Sequence, residues 1–272
     1  MNTSRIYLPT DDFEPGEFPS MLAIGDSWFW YPRNNLLQAL VEHKRLKDPY
    51  RFIRMLGYNG AKLEQYVFGR YARQLDKHLS FEFRGSYSAI LISGAGNDAV
   101  DYKLALKRSC IGIASAEDCI DEETMAIFLG RLSAALGALV QRIRDAYGAT
   151  NRPDIFLHSY DYPIPDGRGF KLADLKVTGP WLLPAMKSRR VEEEMALRRA
   201  VCRIMIDRLA EMYEAFAAQH ERVYFVRSTG CLTSPNYKKD WDNEMHPSAD
   251  GFKRVVDQCW IPVLSQHGYA KD

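Results

Sequence analysis

Apolar residues along this chain follow two alternating rhythms. Short, nearly continuous apolar runs occur at residues 20–24, 51–56, 86–92, 153–158 and 222–226. Runs of that length, ended by turn residues, predict strands buried on both faces. Between them, apolar residues recur every three or four positions, the spacing of a helix with one buried face. The stretch 34–44 carries Leu36, Leu37, Leu40 and Val41 in this way, and a second helix is expected over about 61–79. A third spans 122–147, with Gly148 as its stop signal. A long fourth helix places Leu197, Val201, Met205, Leu209, Met212 and Phe216 on one face, and a last helix occupies about 250–260.

Strands alternating with helices imply a parallel sheet covered on both sides, an α/β fold of three layers, α/β/α, with five strands. Residues 1–19 read as a polar lead-in, and 20–265 as a single domain. Two stretches stand outside the alternation. Residues 101–121 read as an excursion over the domain. The long segment 160–184, rich in proline, glycine and aromatics, has the length of a functional loop or cap.

In a parallel sheet the crevice for ligands forms beyond the carboxyl ends of the strands. Ser27 follows the first predicted strand, Gly60 the second and Asn97 the third, so folding is expected to gather them on one rim. A serine hydroxyl needs an adjacent base to become a nucleophile, and histidine suits that task near neutral pH. Ser27 has a plainer alternative as a helix cap. Gly60 could be turn chemistry, Asn97 a turn or cap residue, and His246 a loop histidine.

Gly25-Asp26-Ser27-Trp28, Gly60 in GYNGAKL, Asn97 in SGAGNDAVDY and His246 in NEMHPSADGF together resemble the four blocks of SGNH (GDSL-like) hydrolases. They occur in the family's order and cover roughly residues 20 to 260. The resemblance implies a flavodoxin-like sheet and hydrolysis of esters, thioesters or acyl groups. It also implies Ser27 as nucleophile, His246 as its base, and an oxyanion hole made by the Ser27 and Gly60 backbone N–H groups and the Asn97 amide. Two positions depart from the family pattern. The residue three before the histidine is Asn243, where the family has aspartate, with Asp242 and Glu244 beside it. Asparagine can fix the imidazole tautomer through its carbonyl but brings no charge. Asn243 is taken as the positional equivalent; the alternatives are that Asp242 takes the role or that the site is a dyad. Ala95 replaces the first glycine of the third block, between Gly94 and Gly96.

The expected activity is therefore carboxylic-ester hydrolysis through an acyl-enzyme on Ser27, with no cofactor and no metal. Alternatives are acyl transfer on the same scaffold, a lipase or thioesterase, or a binding protein that has lost its chemistry. Trp28, Trp30, Tyr31, Tyr160, Tyr162 and Trp241 are expected near the rim, an aromatic lining that suits sugar rings or acyl chains. It leans toward a small-molecule or carbohydrate ester, with an acetyl or short acyl group. Phe29 and Trp181 are assigned to the core. His158 or Asp161, at the end of the fourth strand, is expected to touch substrate. His43, His78 and His220 are expected to face solvent, and His267 lies in the tail.

Composition narrows the alternatives. With 36 basic against 35 acidic residues, the chain lacks the basic excess that phosphate contacts require, so no nucleic-acid partner is expected. No run of about 18 apolar residues suggests a membrane span. Five cysteines, an odd number without an export signal, are expected as free thiols in a reducing compartment, the cytoplasm by default. Pairing of Cys110 with Cys119 is the alternative for an exported chain. Oligomeric state is not legible.

Overall fold

A computed structural model of the chain describes residues 6–12, 18–31, 34–85, 87–97, 104–113, 115–149, 151–172, 175–191 and 194–272. Residues 98–103, which include Asp98 and the start of the expected 101–121 excursion, lie outside the described residues.

Each apolar run forms a strand: β2 (Met21–Gly25), β3 (Ile53–Gly57), β4 (Ala89–Ser93), β5 (Asp154–His158) and β8 (Val223–Val226). The sheet nevertheless has six strands, not five. β1 (Ile6–Tyr7) lies in the stretch read as lead-in and adds to the edge of β3. Two residues are too few to show any periodicity. What holds them is Arg54 of β3, a buried guanidinium that donates to the carbonyls of Leu8 and Asp11. The order is β1-β3-β2-β4-β5-β8, with every pairing parallel. Without the edge strand this is the flavodoxin order, with its switch point between β2 and β4.

Helices cover both faces. α1 (Ser27–Trp30) and α2 (Leu36–Glu42) follow β2; α3 (Glu64–Val67), α4 (Ala72–His78) and α5 (Phe81–Arg84) follow β3. The single helix expected over 61–79 is thus broken: α3 ends at Val67, and Phe68 caps it before Gly69, after which the chain restarts as α4. His78, expected in solvent, is buried at the end of α4, where its Nδ1–H donates to the Gln74 carbonyl at 2.8 Å.

α6 (Glu122–Tyr147) starts at the Asp121 cap and stops at Gly148, whose φ is +67°. It is long and apolar enough to cross a membrane, a property the sequence reading did not credit to it. Here Leu132, Leu136, Leu139, Val140 and Ile143 are buried in the core. The segment after β5 carries a two-stranded antiparallel ribbon, β6 (Phe170–Leu172) and β7 (Leu175–Thr178), then α7 (Leu182–Ser188). α8 (Met195–Ala218) precedes β8. After β8 come α9 (Ala249–Val255), a π-helical turn (Val256–Trp260) and α10 (Ile261–Gln266).

Two apolar cores result. The larger surrounds the sheet. The smaller joins Leu106, Cys110, Cys119 and Ile120 of the first excursion to Leu182 and Met186 of α7 and Val201 and Met205 of α8. All five cysteines are free, including Cys110 and Cys119.

Candidate active site

Ser27, Gly60, Asn97 and His246 come together on the wall of one cavity of about 180 Å³ at the carboxyl end of the sheet. Ser27 is the first residue of α1. The cap of that helix is Asp26, which accepts from the Trp28 N–H at 3.0 Å, so the alternative that Ser27 is there to cap is set aside. Gly25 must be glycine for packing: a β-carbon there would lie 2.6 Å from the Ser93 carbonyl oxygen. Gly60 is glycine for another reason, its φ of +75°, since a β-carbon would meet nothing within 4 Å. Ala95 also has positive φ, +74°, so alanine carries here the conformation that glycine adopts freely.

The Ser27 Oγ lies 2.7 Å from His246 Nε2. Asn243 fixes which nitrogen carries the proton. Its Oδ1 faces the backbone N–H groups of Met245 and His246, both at 3.0 Å, and His246 Nδ1, also at 3.0 Å. Two obligatory donors identify the atom as the oxygen, so Nδ1 must be protonated and Nε2 is free to accept from Ser27. Asp242 does not occupy that position. Its Oδ2 accepts from the Tyr31 hydroxyl at 2.7 Å, and the same hydroxyl accepts from Asn243 Nδ2 at 2.9 Å.

The imidazole is clamped on its faces as well. Tyr31 stacks on it with ring centres 4.2 Å apart and planes 8° apart, and Trp181 meets it edge-on at 5.7 Å. Trp28 ties the two halves together by donating its indole N–H to the Met245 carbonyl at 2.9 Å. Burial disfavours the charged ring and lowers its pKa to about 3.

Asp26, next to the serine, is fully buried. Burial raises its pKa to about 6, although the Tyr160 hydroxyl at 2.6 Å and the Ser93 hydroxyl at 2.9 Å favour the anion. Asn97 donates through Nδ2 to the Ala61 carbonyl at 3.1 Å, which fixes its amide beside the cavity.

A second hollow, about 50 Å³, opens from the same Ser27 and His246. Its walls are apolar: Phe128 of α6, Leu182 of α7, and Met205, Ile206 and Leu209 of α8. The smaller core thus supplies part of the wall.

Several expectations need correction. Trp28, Tyr160 and Trp241 are buried beneath the site, where Trp28 packs edge-on against both of the others. Trp28 and Tyr160 nevertheless line the second hollow beside Ser27, whereas Trp241 lines neither cavity. Trp181, assigned to the core, is only half-buried and forms cavity wall, while Phe29 is core as expected. His158 is enclosed by Trp28, Phe29, Tyr160 and Trp260. Asp161 does line the second hollow, with its carboxylate held by the N–H groups of Tyr162, Gly230 and Leu232. The residue that sequence reasoning missed is Glu244. Fully buried, it accepts from the N–H groups of Gly167, Trp181, Leu182 and Leu183 at 2.7–3.0 Å.

Acid stability follows from these buried groups. Burial lowers His158 to about 4 and His246 to about 3, so below the ordinary value of 6.5 the unfolded chain binds more protons. Their contribution is complete above pH 6.5 and is lost as pH falls toward 4 and 3. Asp26, raised from 3.8 to about 6, works in the opposite sense over that interval. Two imidazoles against one carboxyl leave a net loss of a few kcal/mol between pH 7 and 4.5. Urea denaturation at both pH values measures it. His158→Phe, which keeps a ring in the aromatic nest, should shrink the difference; an unchanged difference rules out His158 as a source.

No family profile matches the sequence, and no curated protein matches it. Solved structures do resemble it. A lipase from a goat rumen metagenome is 14% identical over 93% of this chain and 99% of its own, with a TM-score of 0.53. A candidate platelet activating factor from Streptococcus pneumonia is 16% identical over 92% of this chain and 84% of its own, with a TM-score of 0.52. What the chain shares with these two structures is the fold, a parallel sheet between helical layers. In this fold, the four blocks of the sequence lie at the ends of β2, β3 and β4 and in the loop after β8.

Proposed function

We propose that the protein hydrolyses carboxylic esters through an acyl-enzyme on Ser27. The observation that carries this reading is the 2.7 Å contact between Ser27 Oγ and a His246 nitrogen whose tautomer leaves it able only to accept. In the reaction His246 takes the hydroxyl proton as Ser27 attacks the acyl carbon, then returns it to the departing alkoxide. Water, activated by the same imidazole, releases the acid.

The Ser27 and Gly60 N–H groups and the Asn97 amide are the donors for the oxygen that becomes negative. An amide NH₂ has two protons. The Ala61 carbonyl takes one of Asn97's and fixes the rotamer, and the other is the one offered to substrate. A fluorophosphonate should therefore label the intact protein once, with the adduct mapped to Ser27 by peptide mass spectrometry. Labelling at another residue, or none, rejects the reading.

The apolar hollow supports an acyl chain as the group that enters, rather than an acetyl group on a sugar. A hollow walled by apolar side chains and opening from the serine suits a short acyl chain. Each buried methylene is worth about 0.8 kcal/mol, roughly fourfold in kcat/KM. Across p-nitrophenyl esters, kcat/KM should climb from acetate to butyrate or hexanoate and fall at dodecanoate. A maximum at acetate would mean that the hollow does not receive the acyl group.

A further inference from the structure

Asn243 supplies an uncharged oxygen to His246 Nδ1, and this imidazole gains a positive charge when it takes the serine proton. The hydrogen bonds continue past the amide. Asn243 Nδ2 donates to the Tyr31 hydroxyl oxygen at 2.9 Å, and Tyr31 donates its only proton to Asp242 Oδ2 at 2.7 Å. Each direction is forced. The backbone N–H groups of Met245 and His246 fix the Asn243 oxygen, so the NH₂ must face Tyr31. The tyrosine oxygen therefore accepts there, and its proton goes to a group that only accepts.

We propose that Asp242 is the anionic partner of this site, acting on His246 at one remove through the Tyr31 hydroxyl and the Asn243 amide. Tyr31, Asn243 and Asp242 are positioning residues. No proton leaves the tyrosine or the carboxylate. The negative charge polarises Tyr31, which accepts more strongly from the amide NH₂, and the amide places more negative charge on the oxygen facing Nδ1. Hydrogen bonds in series strengthen one another in this way, the more so in a buried setting. The same tyrosine ring lies flat on the imidazole, so the relay and the stack hold one orientation.

The other charged groups nearby are committed elsewhere. Glu244 binds four backbone N–H groups, and Asp166 is paired with Arg168, whose guanidinium donates to the Trp241 and Asp242 carbonyls. On the cavity side stand Asp26, bound to Tyr160 and Ser93, and Asp161, bound to backbone.

The inference rests on the proposed serine chemistry, so Ser27-dependent turnover of p-nitrophenyl butyrate is established first. Tyr31→Phe keeps the stack but cuts the chain, and Asp242→Asn keeps the shape but removes the charge. Each should lower kcat about 10- to 50-fold with KM nearly unchanged, and the double variant should be no worse than either. Asn243→Asp supplies the charge directly. In that background Tyr31→Phe should lose most of its effect, and Asp242→Asn, by relieving two adjacent carboxylates, should raise activity. Additive losses, or losses of the same size in the Asn243→Asp background, overturn the relay while leaving the serine mechanism standing.

A readout without turnover separates the two ideas further. The His246 Nδ1 proton resonance in ¹⁵N-labelled protein should move upfield in Tyr31→Phe and in Asp242→Asn. No movement in either overturns the relay whether or not the protein cleaves esters.

Discussion

Ser27→Ala should reduce ester turnover by about 10⁴-fold or more while the protein stays folded. Both halves of that expectation come from the geometry. The hydroxyl is the atom within reach of His246 Nε2, and without it the imidazole can at best recruit a water with no covalent intermediate. The fold should be indifferent, because the helix cap is the Asp26 side chain and the backbone of residue 27 is unchanged. The measurement is kcat with p-nitrophenyl butyrate beside the thermal unfolding midpoint. If activity persists within tenfold of wild type at an unchanged midpoint, Ser27 is not the nucleophile. A similar loss of activity with a midpoint fallen by many degrees would be a folding defect instead.

The largest expected effect on stability is at Glu244. Its carboxylate is the common acceptor for four N–H groups in the segment that runs from Gly167 into α7. Burial raises its pKa, and those four N–H groups pull it back, which shows how far the anion depends on them. Glu244→Ala orphans all four donors at once, at about 1–3 kcal/mol for each that stays dry. With water recovering some, the cost should be about 4 kcal/mol or more, a fall in Tm of roughly 10 °C. Glu244→Gln retains one carbonyl oxygen but turns an NH₂ toward the other two donors, so it should lose about half as much. Since Trp181 rests against His246, kcat should fall in the alanine variant even at temperatures where it remains folded. A Tm within about 2 °C of wild type would contradict the cradle.

These two residues mark what the sequence can and cannot reveal. Ser27 was legible because its signal is local: an apolar run, a glycine, then a serine, with its partner blocks at the ends of other runs. The strands were legible for the same reason, since burial on both faces requires unbroken apolar stretches. Glu244 was not, because a glutamate beside a histidine has the same appearance whether it faces water or four amides 61 to 77 residues away. The Tyr31–Asp242 bond joins residues 211 apart and leaves no trace in either segment. The aromatics misread as a rim show the converse error. Rich aromatic content near a strand end says that large rings are close to the site, not which of them reach it: Trp28 and Tyr160 line the hollow, and Trp241 lies underneath. The edge strand escaped because two residues carry no rhythm, and its anchor is an arginine 46 to 48 residues further on.

Ser27 and His246, the proposed nucleophile and base, are separated by 219 residues. At about 5–20 residues per second, a ribosome needs roughly 10–45 s to travel from one to the other. For that interval the growing chain carries nothing more reactive than an ordinary alcohol, because the imidazole that would deprotonate it has not been made. On the proposed mechanism, hydrolytic competence is thus conferred late in synthesis, and a polypeptide stalled anywhere before the loop beyond β8 should be chemically silent toward esters.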